Sequence, residues 1–438
     1  MDNKTYNIVE LFSGIGSQAK ALKNLGVNIK TVGTCEWDIH AFVAYDAIHN
    51  SVKVPEKINN MTKEELLEQL KDFSLSNNGK EPMQYKTLKT YSHDVLKRIY
   101  AAIKKTNNFI DVSKLEGKQL PDKIDIMTYS FPCQDLSNVG AFHGYNKGIG
   151  KDSGSRSSLL WQVGRLLKEM KDSKKSMPRF LLMENVPTLL SDRHKENFGL
   201  WIKELKELGY ESKYFHLNAS KFGLPQNRPR LLMISVYVGK SESKLSVVNK
   251  YFSDTDEDKV VQEFIESKYY KKIKLEKLLR IDYKNERIKK EAIECTPNDT
   301  DSRREIWDEN PQLVLQNNKI NEKYSVIRTI TTKQDRNPNS GNLYFESGIK
   351  GKSKFRYLTP RECLLFMGFS DQDYDNIVSK NPEIHKNSVL FPRDKIIRMA
   401  GNSIPVKLLE GIFYQIIKID KLLENTQNEC TRQKNKKL

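Results

Sequence analysis

A cysteine follows a proline in Ser130-Phe131-Pro132-Cys133-Gln134, where the apolar run Ile124-Asp125-Ile126-Met127-Thr128-Tyr129 ends. A thiol at the tip of a strand can reach a substrate, and as a thiolate it is a nucleophile. Most free cysteines are instead buried and structural, so Cys133 has to be weighed with its neighbours. The run Leu181-Leu182-Met183-Glu184-Asn185-Val186 puts Glu184 at the end of a second apolar strand. A partly desolvated carboxyl there can hold its proton to higher pH and donate it. In Gln226-Asn227-Arg228-Pro229-Arg230 two guanidiniums are spaced for one face of an extended segment. Taken singly, each of these is also a strand-edge polar cap or a basic turn.

A third group of residues suits a cofactor. Leu11-Phe12-Ser13-Gly14-Ile15-Gly16 follows a short apolar strand and precedes a helical pattern. Glycines there let a ligand approach the backbone, and a helix N-terminus favours a negative group. The next strand ends in Cys35-Glu36-Trp37-Asp38, where a carboxylate can accept from ribose hydroxyls and Trp37 offers a flat face to adenine. The first turn lacks the full GxGxxG, which disfavours NAD and suits an adenosyl cofactor without pyrophosphate, such as S-adenosylmethionine. An ordinary βα turn with a surface glutamate is the equally simple alternative.

The elements that would position these residues alternate. Strand patterns in YNIVEL, KTVGTCEWD, KIDIMTYSFPC, PRFLLMENV, YFHLNAS and RLLMISVYV are separated by helical patterns in SQAKALKNLG, IHAFVAYDAIHN, SSLLWQVGRLLKEM and WIKELKELGY. That alternation predicts a doubly wound, mostly parallel α/β sheet. Residues 55–108 read as a charged, helical insertion or connection. Residues 240–325 are Lys-rich without clear periodicity, and 326–350 are rich in Thr and turn formers. The expected organisation is an α/β domain over 1–239, a variable region over 240–355, a return to the first domain over 356–425, and a frayed basic tail over 426–438.

Lys plus Arg number 73 against 56 Asp plus Glu, a net charge of +17. That excess favours a polyanionic partner, most simply nucleic acid, although abundant Lys and Asn also fit an AT-rich coding bias. No run of about 18 apolar residues is present, and the N-terminus has no export-type apolar core, so a cytoplasmic location without membrane contact is expected. Cys35, Cys133, Cys295, Cys363 and Cys430 are scattered without a CxxC pair, which predicts neither a disulfide framework nor a metal site.

In order, FSGIG, EWD, FPCQ, ENV, QNRPR, RYLTPREC and GNSIPV resemble the motifs of the DNA (cytosine-5) methyltransferases over about residues 7–240 and 355–420. Within that family, TYSFPCQDLS and LLMENV look similar to mycoplasma-type enzymes that methylate CpG, a likeness of the catalytic half that carries no target specificity. The resemblance implies the S-adenosylmethionine-dependent methyltransferase fold with a smaller inserted target-recognition domain. It also implies a catalytic set of Cys133, Glu184, Arg228 and Arg230. Cys133 would add to carbon 6 of a flipped cytosine, Glu184 would protonate ring nitrogen 3, Arg230 would hold O2, and Arg228 would hold the site geometry or backbone. Phe12 would stack on adenine, with Ser13, Gly14, Gly16 and Pro132 around the cofactor. Glu36 would bind the ribose and Trp37 the adenosyl or methionine part. Asp111 is similar to the family's adenine-binding acid, with Asp94 as the more distantly spaced alternative. Asn402 and Ser403 would complete the methionine pocket.

The Gly- and Ser-rich stretch after Cys133 suits a mobile lid closing on DNA, with Gln134, Ser137 and Arg156 as DNA contacts. Thr329-Ile330-Thr331 differs from the family's usual Thr-Leu pair by one conservative exchange. Thr329, Thr331, Lys333, Gln334, Arg336 and Asn339 are the candidate base or phosphate contacts. The expected partner is double-stranded DNA, bound by a monomer, with a restriction endonuclease encoded nearby and not in stable complex. An RNA cytosine methyltransferase and a catalytically silent DNA-binding regulator are the alternatives.

Overall fold

The computed structural model describes residues 4–132, 136, 149–150, 156–334, 338–379 and 381–435; for 156 and 427–435 it describes the backbone alone. The central sheet comprises β1 (Thr5–Leu11), β2 (Asn28–Cys35), β3 (Ile126–Tyr129), β4 (Phe180–Asn185), β5 (Tyr210–Asn218) and β6 (Pro229–Tyr237). Its order is β2-β1-β3-β4-β6-β5. β1, β2, β3 and β4 pair in parallel, and β6 runs antiparallel to both β4 and β5. The sheet is therefore doubly wound and mostly parallel, as its alternating pattern predicts.

Alternate residues of each strand enter opposite layers, because successive side chains of a strand point to opposite faces. Ile8, Ile126, Leu182 and Ile234 join one core with the helices Ser17–Asn24, Ile39–His49, His93–Thr106 and Val406–Asn435. Val9, Met127, Leu181, Met183 and Met233 join the other, covered by the helices Leu160–Asp172 and Lys195–Glu207. The strand order reverses between β1 and β3, which is where open α/β sheets bind ligands.

Local chemistry sets the helix ends. Ser92 caps His93–Thr106 by accepting from Val95 N, and Asn107 ends it in the left-handed region. The Lys-rich stretch after residue 240 forms two helices, Glu242–Ser253 and Glu257–Glu266, capped by Ser241 and Asp256. Val248, Phe252, Val260 and Phe264 are buried on their inner faces, and both helices pack against Val406–Asn435. The missing periodicity of the reading above is thus present at i, i+4 spacing, diluted by charged residues on the outer faces. Helical backbone continues to Asn435.

A second, small sheet pairs β7 (Gln312–Val314) and β8 (Asn342–Tyr344) of the variable region with β9 (Phe355–Tyr357) at the start of the return segment, and the helices Glu286–Glu294 and Asp301–Glu309 precede it. It joins the larger body through buried ion pairs. Arg356 bonds both carboxylate oxygens of Glu362 at 2.8 and 2.9 Å. Arg361 bonds Glu291 at 2.8 Å and Asp375 at 2.8 Å. No described helix is long and apolar enough to cross a membrane.

Candidate active site

Register brings the chemistry-bearing residues to one edge. Leu11 pairs with Cys35 and with Tyr129, and Tyr129 pairs with Met183. The next residues, Phe12, Glu36, Ser130 and Glu184, therefore emerge side by side. They line one cavity of about 420 Å³, closed by Arg228 and Arg230 and by residues 399 and 401–404 of the return segment.

Phe12 and Ser13 donate their backbone N–H groups to Cys35 O at 2.8 and 3.3 Å. Phe12 itself has φ 58, an outlier for a bulky residue. Gly14 has φ +54 and faces open space where a Cβ would stand, so the backbone is accessible to a ligand. Ser13 Oγ is buried without a hydrogen-bond partner among the described residues. Glu36 accepts from Gly14 N at 3.1 Å and from Asp38 N at 2.9 Å. Burial, helped by the nearby Asp38 carboxylate, pushes the Glu36 carboxyl up to about 7.

Asp111 stands in the same wall and accepts from Ser113 N at 2.9 Å. Asp94 is exposed on the helix His93–Thr106 and does not line the cavity. Trp37, Pro132, Asn402 and Ser403 complete the lining. Gly16 lies under the turn, where a Cβ would press on His49 and Tyr45. An open glycine turn, an orphaned hydroxyl and two carboxyls in one crevice fit an adenosyl ligand.

Glu184, Arg228 and Arg230, the residues expected around the cytosine, line the same cavity. Glu184 pairs across the sheet with Leu232, so Arg230, two residues along the antiparallel strand, is its diagonal neighbour on the same face. Their ion pair is 2.9 Å long, with the side chains 12% and 13% exposed. Burial raises the Glu184 pKa above the usual carboxylate value, opposed by Arg230 and Arg228. Arg228 is 2% exposed and donates to Ile330 O and Gly401 O at 2.7 Å and to Ser403 O at 2.9 Å. It ties three chain segments together behind the cavity.

The loop leading to Cys133 is clamped from below. Asn185 Nδ2 donates to Phe131 O at 3.1 Å, and Ser157 Oγ donates to Pro132 O at 2.6 Å. Cys133, Gln134, Ser137 and Arg336 lie outside the described residues, as does the side chain of Arg156, whose backbone opens a short 3-10 turn. Thr329 Oγ1 donates to Asn227 O and Thr331 Oγ1 to Lys333 O, each at 2.7 Å. Lys333 is exposed. Asn339 Nδ2 donates to Thr329 O at 3.0 Å.

Gln334 departs from its expected role as a DNA contact. It is 2% exposed and accepts from Ser340 Oγ at 2.8 Å, so it braces the loop from inside. Gly401 passes so close to the Thr331–Thr332 backbone that a Cβ would lie 2.5 Å from it. That contact is a physical reason for the Gly of GNSIPV.

Two positioning residues carried no assigned role in the sequence reading. Gln226, fully buried, accepts from Ile330 N at 3.1 Å and donates to Phe366 O at 2.8 Å. Asn108 accepts from Glu36 N at 3.0 Å and donates to Glu36 O at 2.9 Å, holding the β2 end to the Asp111 loop. Gln226 lay inside a quoted motif; Asn108 had no local signal. No group of residues suited to a metal occurs among the described residues.

The chain is similar to the type II methyltransferase M2.ScrFI of Lactococcus lactis subsp. cremoris, 30% identical over 94% of this chain and 99% of that protein. It is 32% identical to the orphan methyltransferase M.SssI of Spiroplasma monobiae, over 95% of this chain and 99% of that one. Its fold resembles the crystal structure of the S. pombe Dnmt2 methyltransferase, with a TM-score of 0.56 at 16% identity over 95% of this chain and 99% of that chain. The model of the C-5 cytosine-specific DNA methylases matches residues 87–418. The chain belongs to that family, and is a DNA cytosine-5 methyltransferase that uses S-adenosylmethionine.

Proposed function

We propose that the enzyme methylates one cytosine within a short duplex sequence, with Cys133 as nucleophile and Glu184 as acid. The observation that carries this reading is the Glu184–Arg230 ion pair, which faces the same cavity as Ser13 and Glu36. Cytosine carbon 5 is too weak a nucleophile to take a methyl group unaided. Addition of the Cys133 thiolate at carbon 6, with Glu184 giving a proton to ring nitrogen 3, makes carbon 5 enamine-like. S-adenosylmethionine, when bound, supplies an electrophilic methyl group on a sulfonium. Loss of the carbon 5 proton to a base then expels the thiolate, and return of the ring nitrogen 3 proton to Glu184 leaves the neutral aromatic ring. Arg230 holds the base through O2, and Arg228 keeps the site's walls in register. The base must leave the stack to meet Cys133, at a cost of a few kcal/mol.

Phe12, Ser13, Gly14, Glu36, Trp37, Asp111, Pro132, Asn402 and Ser403 hold the cofactor in this reading, with Glu36 accepting from the ribose and Gly16 shaping the turn from beneath. Target reading belongs to 240–355, above all to the part beyond the helix Glu257–Glu266, where β7 and β8 lie. Gln134, Ser137, Arg156, Thr329, Thr331, Lys333 and Arg336 are its DNA contacts, and the return segment completes the catalytic domain. The biological role is protection of host DNA in the cytoplasm, beside a restriction endonuclease or as an orphan enzyme. Relatives of both descriptions support either setting. A monomer suffices, because one site can bind each strand of a palindrome in turn.

The test is bisulfite sequencing of plasmid DNA from a methylation-free host expressing the chain. Conversion-resistant cytosines confined to one short sequence are expected, and they name the target. Uniform conversion in the presence of soluble protein would overturn the DNA reading and favour an RNA substrate or a silent binder.

A further inference from the structure

Apart from Asn108 at its end, the insertion over 55–108 contributes none of the groups assigned above, yet one of its loops reaches the cofactor cavity. Ser76 N donates to Trp37 O at 2.8 Å, and Ile39 N donates to Ser76 O at 2.9 Å. This short parallel bridge carries Gly79 into the cavity wall beside Asp38. Gly79 has φ +66, and a Cβ on it would lie 3.2 Å from Asp38 Oδ2. The loop is held from its other side by the helix Arg393–Asn402. Arg398 donates to Asn78 O and, at 2.5 Å, to Asp38 Oδ2. Lys395 Nζ donates to Asn77 O at 2.7 Å. Three segments distant in sequence therefore meet at Asp38, two residues from Glu36, and Arg398 lies one helical turn before Asn402.

We infer that the loop 76–79 is the outer wall of the S-adenosylmethionine pocket and that Arg398 is the positioning residue that sets it. The inference rests on the reading that Glu36 and its neighbours hold the cofactor. Asp38 already disfavours the charged form of Glu36. Arg398 neutralises Asp38 and fixes the loop backbone with the same guanidinium. Without it, Asp38 keeps only the more distant Lys395 charge to offset it beside the ribose-binding acid, and the wall loses the bond at Asn78. Both effects weaken the cofactor, and neither touches Cys133, Glu184 or Arg230.

Arg398→Met keeps the length and packing of the side chain and removes its donors. Calorimetric titration of the full chain with S-adenosylhomocysteine is expected to show affinity reduced about tenfold, the scale of one lost charge-assisted hydrogen bond. The KM for S-adenosylmethionine should rise by a similar factor, while kcat at saturation changes less than about twofold, because the interaction binds ground state and transition state alike. Arg398→Lys, which keeps one donor, should recover part of the loss. Gly79→Ala, which strains the wall without altering charge, should weaken S-adenosylhomocysteine as well, and it decides the matter if Arg398→Met does not fold. Unchanged affinity in Arg398→Met or, failing that, in Gly79→Ala overturns the inference, as does a fall in kcat equal to the rise in KM. Glu36→Gln is the control. If it binds S-adenosylhomocysteine like the wild type, the cofactor-pocket reading itself fails; if it binds weakly and Arg398→Met does not, the wall alone is refuted.

Discussion

In the proposed function, Glu184 and Arg230 keep one carboxyl ready to donate. Burial lifts the Glu184 pKa, while the guanidiniums of Arg230 and Arg228 pull it back. Glu184→Gln keeps the shape and loses the transferable proton. Single-turnover methylation is expected to slow by about 10²–10⁴-fold, with S-adenosylhomocysteine affinity unchanged in calorimetry. A loss confined to cofactor binding would refute the assignment of Glu184 as the acid. Arg228 and Arg230 came from one motif and were spaced for one face. Both line the cavity, but the structure gives them different partners: β6 begins at Pro229, and Arg228 lies just before it. Arg228 spends its guanidinium on three backbone carbonyls, while Arg230 pairs with Glu184.

Between elements, buried charge decides both orientation and pH response. Arg356 and Glu362 are 0% exposed and join β9 to the first turn of the helix Pro360–Phe366. Removing one partner leaves the other charged in the interior. Arg356→Met alone should lower the unfolding free energy by about 3–5 kcal/mol, and Arg356→Met with Glu362→Leu should recover most of it. Equilibrium denaturation of the two variants measures the difference.

Glu10, in β1, is buried under the cofactor turn and accepts from Ala19 N at 3.2 Å and from Tyr45 OH. Burial pushes its carboxyl up to about 7 from 4.5. A folded-state pKa above the unfolded value means that protonation favours the fold. That contribution is complete below about pH 4.5 and is lost as pH rises through about 7. Glu10→Gln should therefore melt at a higher temperature than the wild type at pH 8, with the gap closing towards pH 5. A gap that does not change with pH would refute this account. Glu36, displaced in the same direction, leaves the wild type some of this pH dependence in either case.

Across the whole molecule the net charge of +17 sets how the enzyme meets DNA. Duplex affinity should fall with salt, with a slope near −0.9 per phosphate neutralised. Lys333, exposed beside the Thr329–Thr331 segment, belongs to that contact set in the proposed function. Lys333→Gln should reduce the slope by about one and weaken all duplexes alike, leaving the methylated sequence unchanged. Fluorescence anisotropy across a salt series measures this, and an altered target sequence would make Lys333 a base reader instead.

The strands, their alternation with helices, and the polar residues at the strand tips were determined by the sequence alone. Each depends on residues close in the chain: the apolar run of β1, the acid that ends β2, the Glu-Asn that ends β4. Their order along the chain also sufficed to recognise the family. Tertiary structure decided what depends on residues far apart. It set β6 antiparallel between β4 and β5, and so placed Arg230 diagonal to Glu184. It turned Gln334 inward against Ser340, made Asn108 a clip for the Glu36 backbone, and brought the loop at Gly79 to Asp38 and Arg398. A side chain's inward or outward turn is settled by which distant surface covers it, and no local spacing of residue types encodes that.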